Sequence, residues 1–262
     1  MNHLKKLLAI LLLLAPFSAF ATPVPGTLTY LAGSGTTQTI SGHNHPAGQL
    51  IVAFASGAAG HLTSVTRAGQ NFVQVSSVHG DVCGAGSAFI YVLDNAAAGT
   101  DDIVFTYSTA TGGGGGQGVV SIANADISAT VGTTTACGSV TSSSISVTTT
   151  VNDSIVVDAL QISSGECCTL TVGADQTALR NASSDGPDGI SHEAKATAGA
   201  TPMSWTWDGS SRSRAHAGAE ILAGTDPAAA APATPETGGD TFFWIIKEKT
   251  KNFFASMFPY FL

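Results

Sequence analysis

The chain has 262 residues, 44% of them hydrophobic and 11% charged, with a formal net charge of −8. That length accommodates one large domain or two small ones, and the low charge excludes a generally disordered chain. The acidic balance excludes nucleic acid as a main partner, because phosphate binding requires clustered Lys and Arg.

Residues 1–21 open with MNHLKKLLAILLLLAPFSAFA. Lys5 and Lys6 make a positive start, Leu7 to Leu14 an apolar run, and Ala19-Phe20-Ala21 a small-residue cleavage site. This order reads as a secretory signal peptide of bacterial type, too short in its apolar part to span a bilayer. It predicts a secreted protein of the periplasm, outer envelope or cell surface. In that compartment Cys83, Cys137, Cys167 and Cys168 are expected to form disulfides. Three pairings are open. If Cys167 and Cys168 share a strand, they point to opposite faces, which favours bonds to Cys83 and Cys137 over a bond to each other.

Residues 22–226 read as a β-sandwich domain. Short β-rich runs recur between clusters of Gly, Asn, Asp, Ser and Thr: LIVAF from Leu50, AFIYV from Ala88, IVFTY from Ile103, SIVVDA from Ser154 and MSWTW from Met203. Short strands separated by turn signals predict an all-β fold. Two halves also look alike. Val52 and Val156 lie 104 residues apart, whereas Gly99 and Gly199, Tyr107 and Trp207, and Gly118 and Gly218 each lie 100 apart. This internal pseudo-repeat predicts two similar sets of strands burying their apolar faces against each other in one two-sheet sandwich. Two separate sandwiches are the alternative. Phe54, Phe72, Phe89, Tyr91 and Phe105 are expected in the core. Trp205 and Trp207 share a strand face, which is either core or a ligand face for stacking sugars.

GQLIVAFASG from Gly48, LTSVTRAGQNFVQVSS from Leu62 and AFIYVLDNAAAGTDDIVFTYS from Ala88 together resemble secreted jelly-roll β-sandwich modules of bacterial surface and phage structural proteins. The resemblance covers residues 27–223. It implies a jelly-roll-like sandwich and a role in adhesion, display or carbohydrate contact, and it transfers no catalytic residue. The four cysteines and the C-terminal tail depart from the pattern.

The same stretch carries fragments of catalytic and metal-binding motifs. His43 and His45 would share a strand face as two metal ligands, but Pro46 suggests a turn with exposed histidines. His192-Glu193 lacks the second His of a zinc-protease helix, and no G-x-S-x-G elbow occurs. Asp158 and His216 are present without a defined serine partner. Gly112–Gly116 lacks the Lys and Ser or Thr of a phosphate loop and reads as a loop between strands. Asp185 and Asp188 offer calcium too few carboxylates, so no cofactor is expected, with Ca²⁺ as the alternative.

Residues 227–240 form a Pro/Ala/Thr linker, and residues 241–262 an aromatic, cationic tail. Written on a helix, the tail is imperfectly amphipathic. Phe242, Phe243, Trp244, Ile246, Phe253, Phe254 and Phe258 are the expected contacts with a membrane surface or an identical subunit. The combined expectation is a secreted, non-enzymatic structural or adhesive protein of a bacterial surface. A carbohydrate-binding or carbohydrate-active jelly roll is the second reading.

Overall fold

The computed structural model describes residues 21–57, 61–79, 86–126, 134–162, 168–182 and 188–224, with backbone alone at 112–114 and 188. The signal peptide, the linker and the tail with its expected helix lie outside these residues. All regular structure among the described residues is β. The first half carries β1 (Val24–Pro25), β2 (Thr29–His45), β3 (Leu50–Gly57), β4 (Leu62–Arg67), β5 (Gln70–Asn71), β6 (Val73–Val78), β7 (Ser87–Leu93), β8 (Gly99–Ala123) and β9 (Ala125–Asp126). The second carries β10 (Thr134–Val140), β11 (Ser142–Thr149), β12 (Ser154–Ile162), β13 (Leu170–Val172), β14 (Thr177–Ala182), β15 (Asp188–Lys195), β16 (Gly199–Trp207) and β17 (Arg212–Ala223).

Two long strands organise the first half. β2 and β8 pair antiparallel from His45↔Gly99 to Thr29↔Val119, with three register shifts on the way. The N-terminal part of β8 also pairs with β4, through Arg67↔Ile103 and Leu62↔Tyr107. Its C-terminal part pairs with β3, through Ala55↔Gln117 and Leu50↔Ile122. One eight-stranded sheet therefore curls on itself, with β5 beyond β4 at one end and β7 and β6 beyond β3 at the other. The glycine run expected to be a loop lies inside β8. At Gly115 a Cβ would sit 3.0 Å from the Ser56 carbonyl oxygen, so the close approach of β3 there requires glycine.

The second half repeats this order with the long strands cut in two. Its larger sheet runs β10-β17-β12-β15-β14, and its smaller one β11-β16-β13. There are thus three sheets rather than the two expected, and three layers of apolar contact. One core fills the curl of the first sheet with Ile51, Phe89, Tyr91, Ile103, Phe105 and Tyr107. Another lies between the two halves, where Val52, Phe54, Ile90 and Val120 meet Ile155, Val157, Ala217 and Ile221. Two smaller clusters lie between the sheets of the second half: Leu160, Leu170, Trp205 and Trp207, and Ile145, Val147, Val156 and Met203. The physical reason is legible in β3, β7 and β12, which are buried at every residue. A strand apolar on both faces needs a covering layer on each. At about 1.5–3 kcal/mol per large buried apolar side chain, these layers are the main source of stability.

The matched residues of the two halves do not all keep their faces. Tyr107 and Trp207 both point into the interior of their own half, and His45↔Gly99 has its counterpart in Thr149↔Gly199. Val52, however, faces the other half, whereas Val156 faces β11 and β16. A Cβ on Gly118 would meet Ile190, and one on Gly218 would meet Ile145. An offset wrong by one residue flips every side chain of a strand. Similar residues in β3 and β12, and at the ends of β8 and β17, are therefore not equivalent positions.

Cys83 and Cys167 lie outside the described residues. Cys137 is exposed on β10, and no disulfide joins it to Cys168.

Candidate functional site

Two polar constellations are built into this frame, one in each half. In the first, β2 gains a residue over β8 between Ile40↔Ile103 and His43↔Asp101. Gly42 takes up the bulge with φ +66°, and its N–H donates to Asp102 Oδ1 at 3.0 Å. Beyond the bulge, His43 and His45 both turn inward, 4% and 1% exposed. The exposed-turn reading of this pair is corrected: both lie on a strand and share its inner face. Their rings converge on one hydroxyl, with His43 Nε2 and His45 Nδ1 each 3.0 Å from Ser121 Oγ. Ser121 has one proton, so it donates to one imidazole and accepts from the other.

Burial, then the Arg67 guanidinium, pushes the His43 pKa below its ordinary value. The same causes, with His43 added, bring His45 down to about 4, against a smaller opposing pull from the Ala96 backbone. Arg67 is itself 1% exposed and held by Asp101 at 2.7 Å and by the Ala97 and Gly99 carbonyls. Both imidazoles are therefore neutral at neutral pH. Beside His43 opens a cleft of about 450 Å³, lined also by Thr27, Thr29, Asn44, Gln49 and Ser121. Its lining carries hydroxyls and side-chain amides free to form hydrogen bonds at the surface. Asp101, the acid on the strand opposite His43, is bound to Arg67 and not to an imidazole.

The second constellation surrounds Asp158, the acid in the middle of the apolar strand β12. Its Oδ1 accepts from the Ser191 backbone N–H at 2.8 Å and the Ser191 hydroxyl at 2.6 Å. Its Oδ2 accepts from Trp205 Nε1 at 2.8 Å and from His216 Nε2 at 2.9 Å. His216 Nδ1 and Ser143 Oγ share a hydrogen bond of 2.8 Å, and Arg214 Nε donates to the same hydroxyl at 2.7 Å. Sequence reasoning had named Asp158 and His216 and missed Ser143. The signal was an acid inside a buried strand, which demands partners.

The order serine–histidine–aspartate is that of a catalytic relay, but its members are 2%, 0% and 0% exposed. Both carboxylate oxygens are saturated, and Arg214 donates to the would-be nucleophile and lowers its nucleophilicity. This arrangement satisfies a buried charge and ties β11, β12, β15, β16 and β17 together.

Trp205 and Trp207 are 0% and 6% exposed. The ligand-face reading of the two indoles is therefore corrected. Trp205 lies on Gly189, where a Cβ would come within 2.9 Å of the ring, and its N–H is spent on Asp158. The tail contacts Phe242, Phe243, Trp244, Ile246, Phe253, Phe254 and Phe258 lie outside the described residues, as does Asp185. Among the described residues no group of three His, Cys, Asp or Glu side chains is placed to hold a metal ion. No family model, curated protein or solved structure matches the chain.

Proposed function

We propose that this protein is a secreted structural or adhesive component of a bacterial envelope or surface. The sandwich is the displayed body, and the aromatic, cationic tail attaches it to the envelope or to an identical subunit. The observation that carries this reading is the closed polar core around Asp158, which spends its donors and acceptors on locking five strands together. Rigidity of that kind suits a load-bearing or displayed module. The like strand order of the two halves supports a duplicated building unit, and the jelly-roll resemblance supports display. The test is fractionation of the full chain beside a chain ending at Asp226, the boundary of its first compact unit. Membrane recovery or self-assembly of the full chain alone is expected. Soluble monomers in both cases would remove the attachment role.

Carbohydrate binding is the second reading, and the cleft beside His43 favours it. Thr27, Thr29, Asn44 and Gln49 present the amides and hydroxyls that pair with sugar hydroxyls. Glycan-array binding that disappears in Gln49→Ala with the fold retained is the outcome that would place this reading first.

A further inference from the structure

We propose that His61 and His79 form a surface site for a divalent transition-metal ion with a preference for imidazole, Cu²⁺ or Ni²⁺ before Zn²⁺. His61 directly precedes β4, which pairs with β8, and His79 directly follows β6, which pairs with β7. Their Nδ1 atoms face each other 2.8 Å apart, with ring centroids at 4.7 Å and planes tilted by 39°. Each ring has an anchor. His79 stacks edge-on against Phe89, centroids 5.3 Å apart, and Phe89 is fully buried. The His61 carbonyl accepts from the Ser108 N–H at 2.9 Å, which fixes its backbone on β8.

The spacing discriminates between metals. Two nitrogens about 2.0 Å from one ion lie about 2.8 Å apart at the right angle of a tetragonal site, and about 3.3 Å apart at a tetrahedral angle. The Nδ1 separation already equals that of the first geometry, so copper or nickel needs only the rings to turn their lone pairs onto the ion, whereas zinc also requires them to part by about half an ångström. Without metal, one ring donates its Nδ1 proton to the other Nδ1. Metal binding moves that proton to the Nε2 of the same ring, so both Nδ1 lone pairs reach the ion and no net proton is released from the neutral pair. Two protein donors leave the other coordination positions to water or to a donor from another molecule. His61 is exposed, which keeps the ion accessible.

The experiment is calorimetric titration, with Cu²⁺, Ni²⁺ and Zn²⁺, of the tag-free chain from Thr22, the form left after removal of the expected signal peptide with its own copper-chelating Met-Asn-His terminus. One Cu²⁺ per chain is expected near neutral pH. Affinity should fall at least about tenfold in His61→Gln and in His79→Gln. Electron paramagnetic resonance of the copper-loaded chain should show two equivalent imidazole nitrogens. Absence of binding would overturn the proposal, as would binding left unchanged by both variants in chains with native circular dichroism. A resonance spectrum without the two imidazoles would do the same even if a variant failed to fold, leaving the pair a hydrogen bond only.

Discussion

Asp158 shows how one charged side chain organises a core. Four donors converge on it, and removing the carboxylate strands the Trp205 N–H and the His216 ring in an interior that excludes water. Asp158→Ala is expected to cost on the order of 3–5 kcal/mol, read as a shift of the urea midpoint. Asp158→Asn should cost less, since an amide oxygen still accepts. The histidines beside Ser121 make a different prediction. His45 titrates at about 4 in the fold against 6.5 in the unfolded chain, so the unfolded state binds more protons between these values. Its contribution is complete above the unfolded value and is lost as the pH falls towards the folded one, by on the order of 3 kcal/mol. Denaturation curves between neutral pH and about pH 4 should therefore be flatter in His45→Gln than in the native chain. Asp158 was visible in the sequence as an acid within an apolar run. Its pairing with Ser191, Trp205 and His216 was not, because these stand 33, 47 and 58 residues away and meet it only when β15, β16 and β17 pack around β12.

Among the elements, the apolar strands were legible, while the glycine-rich middle of β8, the histidine end of β2 and the face of each strand were not. β11 alternates exposed and buried residues from Ser142 to Thr149, the signature of a sheet with one wet side. β3, β7 and β12 are mostly apolar runs, interrupted in β12 by Asp158 and Gln161, and these are the strands covered on both sides. The glycines that let such strands approach are testable. At Gly189 a Cβ would meet three atoms of the Trp205 ring within 3.0 Å, and that ring is held by Asp158. Gly189→Ala is expected to destabilise by about 1–3 kcal/mol in thermal or chemical melts. Gly218→Ala meets the tips of Ile145 and Val147, which have rotamers to yield, so its loss should be the smaller of the two. The reverse order would show that the indole is free to move.

At the scale of the whole described unit, the core between the halves decides how the chain behaves. Val52, Phe54, Ile90 and Val120 from one half, and Ile155, Val157 and Ile221 from the other, are each at most 2% exposed because the halves cover one another. The Arg180 guanidinium of β14 also lies 3.2 Å from the ring centre of Tyr30 on β2, a second link across the same boundary. A chain carrying residues 22–126 alone would leave that apolar face open to water. It is expected to aggregate on expression and to become soluble when residues 127–226 are co-expressed. A soluble, monomeric half by light scattering would count against a shared core. Sequence alone determined the β class, the turn-rich spacing and the membership of the core, because these follow from side-chain period and composition along a short stretch of chain. Tertiary structure alone decided the number of layers, which of the matched positions share a face, and the convergence of His43 and His45 on Ser121. Each of these depends on a register or on a bulge, and one added residue in a strand reverses what its side chains face.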